Sequence, residues 1–228
     1  MRKIAFLDFD GTLSSGYISM AFLDHVYEKE IYAEDKYKEQ MGLLKQLKTG
    51  ELSYDEWCKQ WGEVWAQGLK GVSWKEARKE AKEFFEGFKP NIYPSSYELV
   101  QLLKENDYHT VCVSVGASEV IGLAARELGI DKCHSTILRK KNGLYTGEPC
   151  TNLHMPGGKV SRIEEILRAE QFSRVIAMGD SVGDTGMLSL ADIAVALNPS
   201  KELEAYARSK NWHVFTADNI VEGLSRLL

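Results

Sequence analysis

Five short, nearly continuous apolar runs punctuate this chain, and helical patterns separate most of them. They are "KIAFLD" (3–8), "HTVCVSV" (109–115), "RVIAMGD" (174–180), "DIAVAL" (192–197) and "WHVF" (212–215). A strand that is apolar at successive positions has no water-facing side, so it belongs inside a parallel sheet covered on both faces. The intervening "SEVIGLAAREL" (118–128) and "KVSRIEEILRAE" (159–170) repeat their apolar residues at the helical period. Strand and helix in alternation predict an α/β fold built on a Rossmann-like parallel sheet.

The segment 15–89 breaks that rhythm. It offers no convincing strand, and its spacings, including the charged run "KEARKEAKEFFEGF" (75–88), predict several helices. Trp57, Trp61, Trp65 and Trp74 all fall within it. The expected division is therefore a core made of 1–14 and 90–228, with an all-helical domain over 15–89 inserted after the first strand. "PNIYPSS" (90–96), with its two prolines, is expected to be the return linker. Asn142-Gly143, between two short β-prone runs, predicts a hairpin within 134–149.

Composition narrows the partners. Of the 228 residues, 44% are hydrophobic and 27% are charged, with a net charge of −5. There is no basic field to hold nucleic acid and no apolar stretch of membrane-spanning length. The N-terminal apolar run stops at Asp8, too early for a secretory signal. Cys58, Cys112, Cys133 and Cys150 are scattered without a C-x-x-C pair, which argues against a disulfide framework. The expectation is a cytoplasmic protein, monomeric or a homodimer, acting on a small molecule.

In a parallel sheet, ligands bind beyond the carboxyl ends of the strands. Asp8 and Asp10, Ser114, Lys159, and Asp180 with Asp184 all fall at or near such ends. Each alone has an ordinary explanation, as a helix cap, a turn residue or a solvated side chain. Together they make a chemical set. Several carboxylates at one sheet edge repel one another unless a divalent cation sits among them. All-oxygen ligands favour Mg²⁺, which keeps room for a substrate phosphate. One carboxylate there can attack phosphorus, and a second, two residues on, can move protons. A lysine and a serine would hold the remaining phosphoryl oxygens. Rival motifs fail: "GGK" (157–159) lacks the first glycine of a P-loop, and Ser114 lacks that of a nucleophile elbow.

These residues resemble the haloacid dehalogenase superfamily. Asp8-Phe9-Asp10-Gly11-Thr12 is similar to its D-x-D-x-T signature, and Ser114 after an apolar strand to its second motif. Lys159 is similar to the third, and "GDSVGD" (179–184) to the fourth. The resemblance implies that Asp8 is the nucleophile and a Mg²⁺ ligand. Asp10 would be the general acid/base and give the metal its backbone carbonyl. Ser114 would bind the phosphoryl group with backbone N–H groups at Val115 or Gly116. Lys159 would hold Asp8 and the phosphate. Asp180 would be a further metal ligand, with Asp184 behind it. The second aspartate of D-x-D implies a phosphatase rather than a dehalogenase.

The insert resembles the C1 cap of this superfamily, and the hairpin and "GGK" resemble its phosphoserine-phosphatase branch. The sequence departs from that branch where substrate is chosen. Tyr17 stands where the branch has a glutamate for the substrate amine. Its carboxylate-binding arginine falls near Trp61 or Lys59, and Gly183 replaces an asparagine. Trp57, Trp61 and Trp65 share one helix face. They are either a packing stripe within the cap or, with Tyr17, part of a substrate pocket suited to an apolar or quaternary ammonium group. His154, just before Met155-Pro156-Gly157-Gly158, is expected to be a loop histidine. The expected activity is Mg²⁺-dependent hydrolysis of small phosphomonoesters through an aspartyl phosphate. Phosphoserine hydrolysis proper, phosphotransfer from the same intermediate, and non-catalytic phosphate binding are the alternatives.

Overall fold

A computed structural model describes residues 2–228. The first apolar run forms β1 (Arg2–Leu7), and four helices follow it: α1 (Ile18–Glu28), α2 (Glu34–Thr49), α3 (Tyr54–Gly68) and α4 (Trp74–Phe88). The chain then alternates through α5 (Pro94–Glu105), β2 (Tyr108–Ala117), α6 (Ser118–Glu127) and β3 (Lys132–Thr136). A hairpin of β4 (Leu138–Lys141) and β5 (Leu144–Pro149) precedes α7 (Gly158–Ala169) and β6 (Phe172–Gly179). The rest is α8 (Thr185–Leu188), β7 (Ile193–Leu197), α9 (Lys201–Ser209), β8 (His213–Phe215) and α10 (Ile220–Ser225). Among the described residues no helix is long and apolar enough to cross a membrane.

Six strands form one parallel sheet in the order β3-β2-β1-β6-β7-β8, so β1 lies at the centre. Phe6 sits opposite Val111 on one side and Ala177 on the other. Successive side chains of a strand point to opposite faces, and both faces of β1 are covered. Ile4 and Phe6 join Val113, Ile163 and Leu203 on one face. Ala5 and Leu7 face the other, with Leu99, Leu103 and Ile121. That second apolar cluster continues without a break into Trp57, Trp65 and Phe85 of the helical segment. Each such fully buried side chain contributes about 1.5–3 kcal/mol of transfer free energy.

Two expectations need correction. Residues 90–96 are not a plain linker. Lys89–Asn91 forms a 3-10 turn, and Pro94 begins α5. Proline suits a first helical position because its missing N–H would have had no partner there. This stretch is also paired with the outgoing chain: Ser15 N–H donates to Asn91 O at 2.8 Å, and Tyr93 N–H to Leu13 O at 3.1 Å. Secondly, β3 is an edge strand absent from the sequence expectation. Its sequence, KCHST, is short and mostly polar, and its place comes from pairing with β2, Cys112 opposite Cys133.

The hairpin has the expected turn, with φ of 51° at Asn142 and 84° at Gly143, the pair of positive values a type I′ turn requires. It grips the helical segment through the backbone. Gly71 N–H donates to Tyr145 O, Tyr145 N–H to Val72 O, and Trp74 N–H to Gly143 O. The loop between α3 and α4 is thereby attached to a hairpin that arises from the sheet side of the molecule.

Candidate active site

The carboxyl ends of β1, β2 and β6 are adjacent, because these are neighbouring parallel strands. Asp8 follows β1, and its N–H continues the ladder to Met178 O at 3.0 Å. The turn after it is tight. Gly11 has φ of 80°, and a Cβ there would lie 2.3 Å from an Asp180 carboxylate oxygen, so only glycine lets the turn approach the end of β6. Thr12 Oγ1 lies 3.4 Å from Asp8 Oδ2 and 3.2 Å from Asp180 Oδ1, and donates its proton to one of them at a time.

Lys159, in the first turn of α7, is buried and reaches into this cluster. Its Nζ is 2.7 Å from Asp8 Oδ1 and 2.7 Å from Asp184 Oδ1. Asp184 uses its other oxygen to accept from the Ser181 N–H and hydroxyl, both at 3.1 Å. Asp10 stands apart: its carboxylate accepts from Ile18 N–H at 2.7 Å, at the N-terminus of α1, where a negative charge is favoured. Ser114 is buried on β2, and its Oγ accepts from Gly116 N–H at 3.0 Å. Ser19 Oγ accepts from Ala117 N–H at 2.9 Å, which joins α1 to the end of β2.

Asp8, Asp180 and Asp184 each offer an oxygen within 4.8 Å of the others. Burial disfavours the charged form of three of the carboxyls here. The Asp8 carboxyl is pushed up to about 6 by burial, against the pull of Lys159 and with a further push from Asp184. Asp10 is pushed up to about 7 by burial and by Asp8. Asp180 rises to about 8 through burial, Asp8 and Asp184. Four carboxylates against one ammonium leave an excess of negative charge that a hard divalent cation would neutralise, and the donors are all oxygen. The residues therefore fit Mg²⁺. Asp8 Oδ2 and Asp180 Oδ1 share only the Thr12 hydroxyl, which serves one of them at a time, whereas both oxygens of Asp184 are already engaged by Lys159 and Ser181.

In the same small cavity as these charges stands a wall of rings. Tyr17 and Trp61 line it, as the sequence suggested, and so do Trp57 and Tyr54. Of the tryptophan stripe, Trp65 is excluded. It is fully buried, stacked on Trp61 at 5.8 Å and on Tyr32 at 5.4 Å. Trp65 therefore packs within the helical segment, while Trp57 and Trp61 reach the cavity. Sequence reasoning missed Tyr54, although residues 54, 57, 58 and 61 share a helix face. Gly183 was the other clue, because a Cβ there would lie 2.3 Å from the Tyr54 ring. His154 does not line the cavity. It is buried against Gly62 of α3, in the space where a Cβ on that glycine would be.

Known proteins resemble this chain in sequence and in fold. The sequence model of the haloacid dehalogenase-like hydrolase family matches residues 5–189. The phosphoserine phosphatase SerB1 of Mycobacterium tuberculosis is 25% identical over 223 residues, covering 94% of this chain and 70% of that protein. A histidinol-phosphatase of Neisseria meningitidis is 25% identical over 222 residues, covering 94% and 98%. A protein of unknown function from Bordetella pertussis superposes with a TM-score of 0.84 at 22% identity, over 95% of this chain and 99% of its own. A phosphoserine phosphatase captured as a phospho-aspartyl intermediate analogue superposes with a TM-score of 0.67 at 19% identity, over 97% and 98%. The chain belongs to the haloacid dehalogenase-like hydrolase family.

Proposed function

We propose that this phosphatase hydrolyses small phosphomonoesters with Mg²⁺, through a phosphoryl group carried on Asp8. The observation that carries this reading is the pairing of Lys159 Nζ with Asp8 at 2.7 Å, beside Asp180 and apart from Asp10. It supports two carboxylates with separate tasks.

An Asp8 carboxylate oxygen attacks phosphorus, and the bond from phosphorus to the ester oxygen breaks. Asp10, whose carboxyl is raised to about 7, gives its proton to the departing alkoxide. Water then attacks the aspartyl phosphate and loses a proton to Asp10, and the bond between Asp8 and phosphorus breaks to release inorganic phosphate. Lys159 fixes the attacking carboxylate and offers charge to the phosphoryl oxygens, and the Ser114 hydroxyl supplies a further donor. Mg²⁺, held by Asp8, Asp180 and the Asp10 carbonyl, would neutralise charge on the transferring group. Asp184 acts by holding Lys159.

The test uses p-nitrophenyl phosphate, whose leaving group departs without a proton. Asp8→Asn is expected to lower turnover by roughly 10³-fold or more. Asp10→Asn should slow the second half of the cycle, so that a phosphate adduct on Asp8 accumulates and is seen by mass spectrometry. Residual turnover above a few per cent in Asp8→Asn, or an adduct on another residue, would refute the assignment.

A further inference from the structure

Resting on that phosphatase reading, we infer that the alcohol half of the substrate is a small organic cation with its charge shielded by carbon, and that it carries no carboxylate. Three features of the cavity lead there. Among the described residues its lining holds no arginine, histidine or amide side chain, and its one cation, Lys159, is already paired with Asp8 and Asp184. A carboxylate on the leaving group would meet no counter-charge. It would also sit near Asp8, Asp10 and Asp180, and like charges at short range are costly in a buried site.

The wall facing those aspartates is aromatic. Tyr54 and Trp57 lie 6.0 Å apart between ring centroids, and Trp57 and Trp61 lie 6.5 Å apart. Tyr17 stands 58% exposed at the cavity mouth, one residue before the start of α1. Aromatic faces attract cations most strongly when water is excluded. A bare primary ammonium is strongly hydrated, whereas an alkylated or delocalised cation gives up its water readily and fills an apolar wall. Trp61 is braced from behind by Trp65, with the two ring planes 4° apart, and Gly183 leaves room for Tyr54. The wall is thus held in place before any ligand arrives.

One feature points to a rival. The indole N–H groups of Trp57 and Trp61 are buried without partners. Two neutral donors would give a carboxylate hydrogen bonds but no opposing charge, and phosphoserine hydrolysis measures that possibility directly.

The experiment compares phosphocholine with 3,3-dimethylbutyl phosphate, its uncharged carbon isostere, and with phosphoserine, all with Mg²⁺ present. The expected kcat/KM for phosphocholine exceeds that for the isostere by about tenfold or more, with phosphoserine lowest. In Trp61→Leu, and separately in Trp57→Leu, the ratio of phosphocholine to isostere should fall toward one. That ratio is internal to each variant, so a general loss of activity does not alter it. A wild-type ratio near one, or a preference for phosphoserine, with p-nitrophenyl phosphate still hydrolysed, overturns the inference and leaves the phosphatase reading standing. If no ester is hydrolysed, the phosphatase reading fails, and tryptophan fluorescence decides this one. Quenching by phosphocholine at tenfold lower concentration than by the isostere supports the cation site, and equal quenching overturns it.

Discussion

Gly183 and Tyr54 form the contact on which the shape of the cavity most depends. A Cβ at position 183 would lie 2.3 Å from one ring carbon of Tyr54 and 2.8 Å from the next. Gly183→Ala must therefore push the ring aside. The expected result is a rise of about three- to tenfold in KM for the preferred ester, with a smaller change in kcat, since the nearest atoms that a Cβ there would meet all belong to Tyr54. Asp184 is the next residue, so a direct effect on the Lys159 pair has to be separated from one through the ring. A double-mutant cycle with Tyr54→Ala does this, because residues in contact give non-additive effects. If Gly183→Ala raises KM equally in the Tyr54→Ala background, Tyr54 is not the intermediary. The candidate catalytic residues were legible in the sequence because their types at strand ends make a chemical set, and because their order resembles a family signature. Tyr54 was not, because nothing local says which face of α3 meets the site. That face is chosen by how α3 packs against the rest of the molecule.

At the scale of elements, the hairpin is the piece that fastens the helical segment. Its Asn142-Gly143 turn was legible, since only residues tolerant of positive φ close a two-residue loop. Its use was not, because three of its backbone hydrogen bonds run to residues 71–74, which are distant in sequence. Edge strand β3 was hidden for a similar reason: its polar sequence carries no strand pattern, and pairing with β2 alone defines it. The central strands were readable because burial on both faces leaves an unbroken apolar run. The turn predicts a local effect. Gly143 has φ of 84°, so Gly143→Ala carries roughly 1–2 kcal/mol of backbone strain. Hydrogen exchange at the Gly71, Trp74 and Tyr145 amides should speed up by about tenfold, while amides of β1 and β6 keep their protection. Equal acceleration in the central strands would mean that the hairpin is not a separate fastening but part of one cooperative unit.

For the molecule as a whole, the apolar cluster that runs from β1 into α3 and α4 has to hold a concentration of like charge at the sheet edge. Asp8, Asp10 and Asp180 all have carboxyls raised above their ordinary value, to about 6, 7 and 8, with burial the leading cause each time. A group whose folded-state value is raised favours the fold most when it is protonated. Its contribution is complete below the unfolded value near 3.8 and is lost as pH climbs through the folded one. Without divalent metal, the melting temperature should therefore fall between about pH 4 and pH 8, steepest at the acid end of that window, where all three carboxyls hold protons that the unfolded chain has lost, and more gently toward pH 8, where only Asp180 still does. Mg²⁺ should flatten the fall, because a cation that binds only the folded state adds about 2.7 kcal/mol at a hundredfold excess over its Kd. For a chain of this length each kcal/mol is worth about 2–4 °C. Asp180→Asn removes the most strongly disfavoured charge, so it should raise the metal-free melting temperature at pH 8 while cutting the shift that Mg²⁺ produces. Calorimetry at pH 5 and pH 8, with and without Mg²⁺, measures all four quantities. A metal-free profile that is flat or rises with pH, or an Asp180→Asn protein that Mg²⁺ stabilises as much as the wild type, would show that the carboxylate cluster is neutralised in some other way.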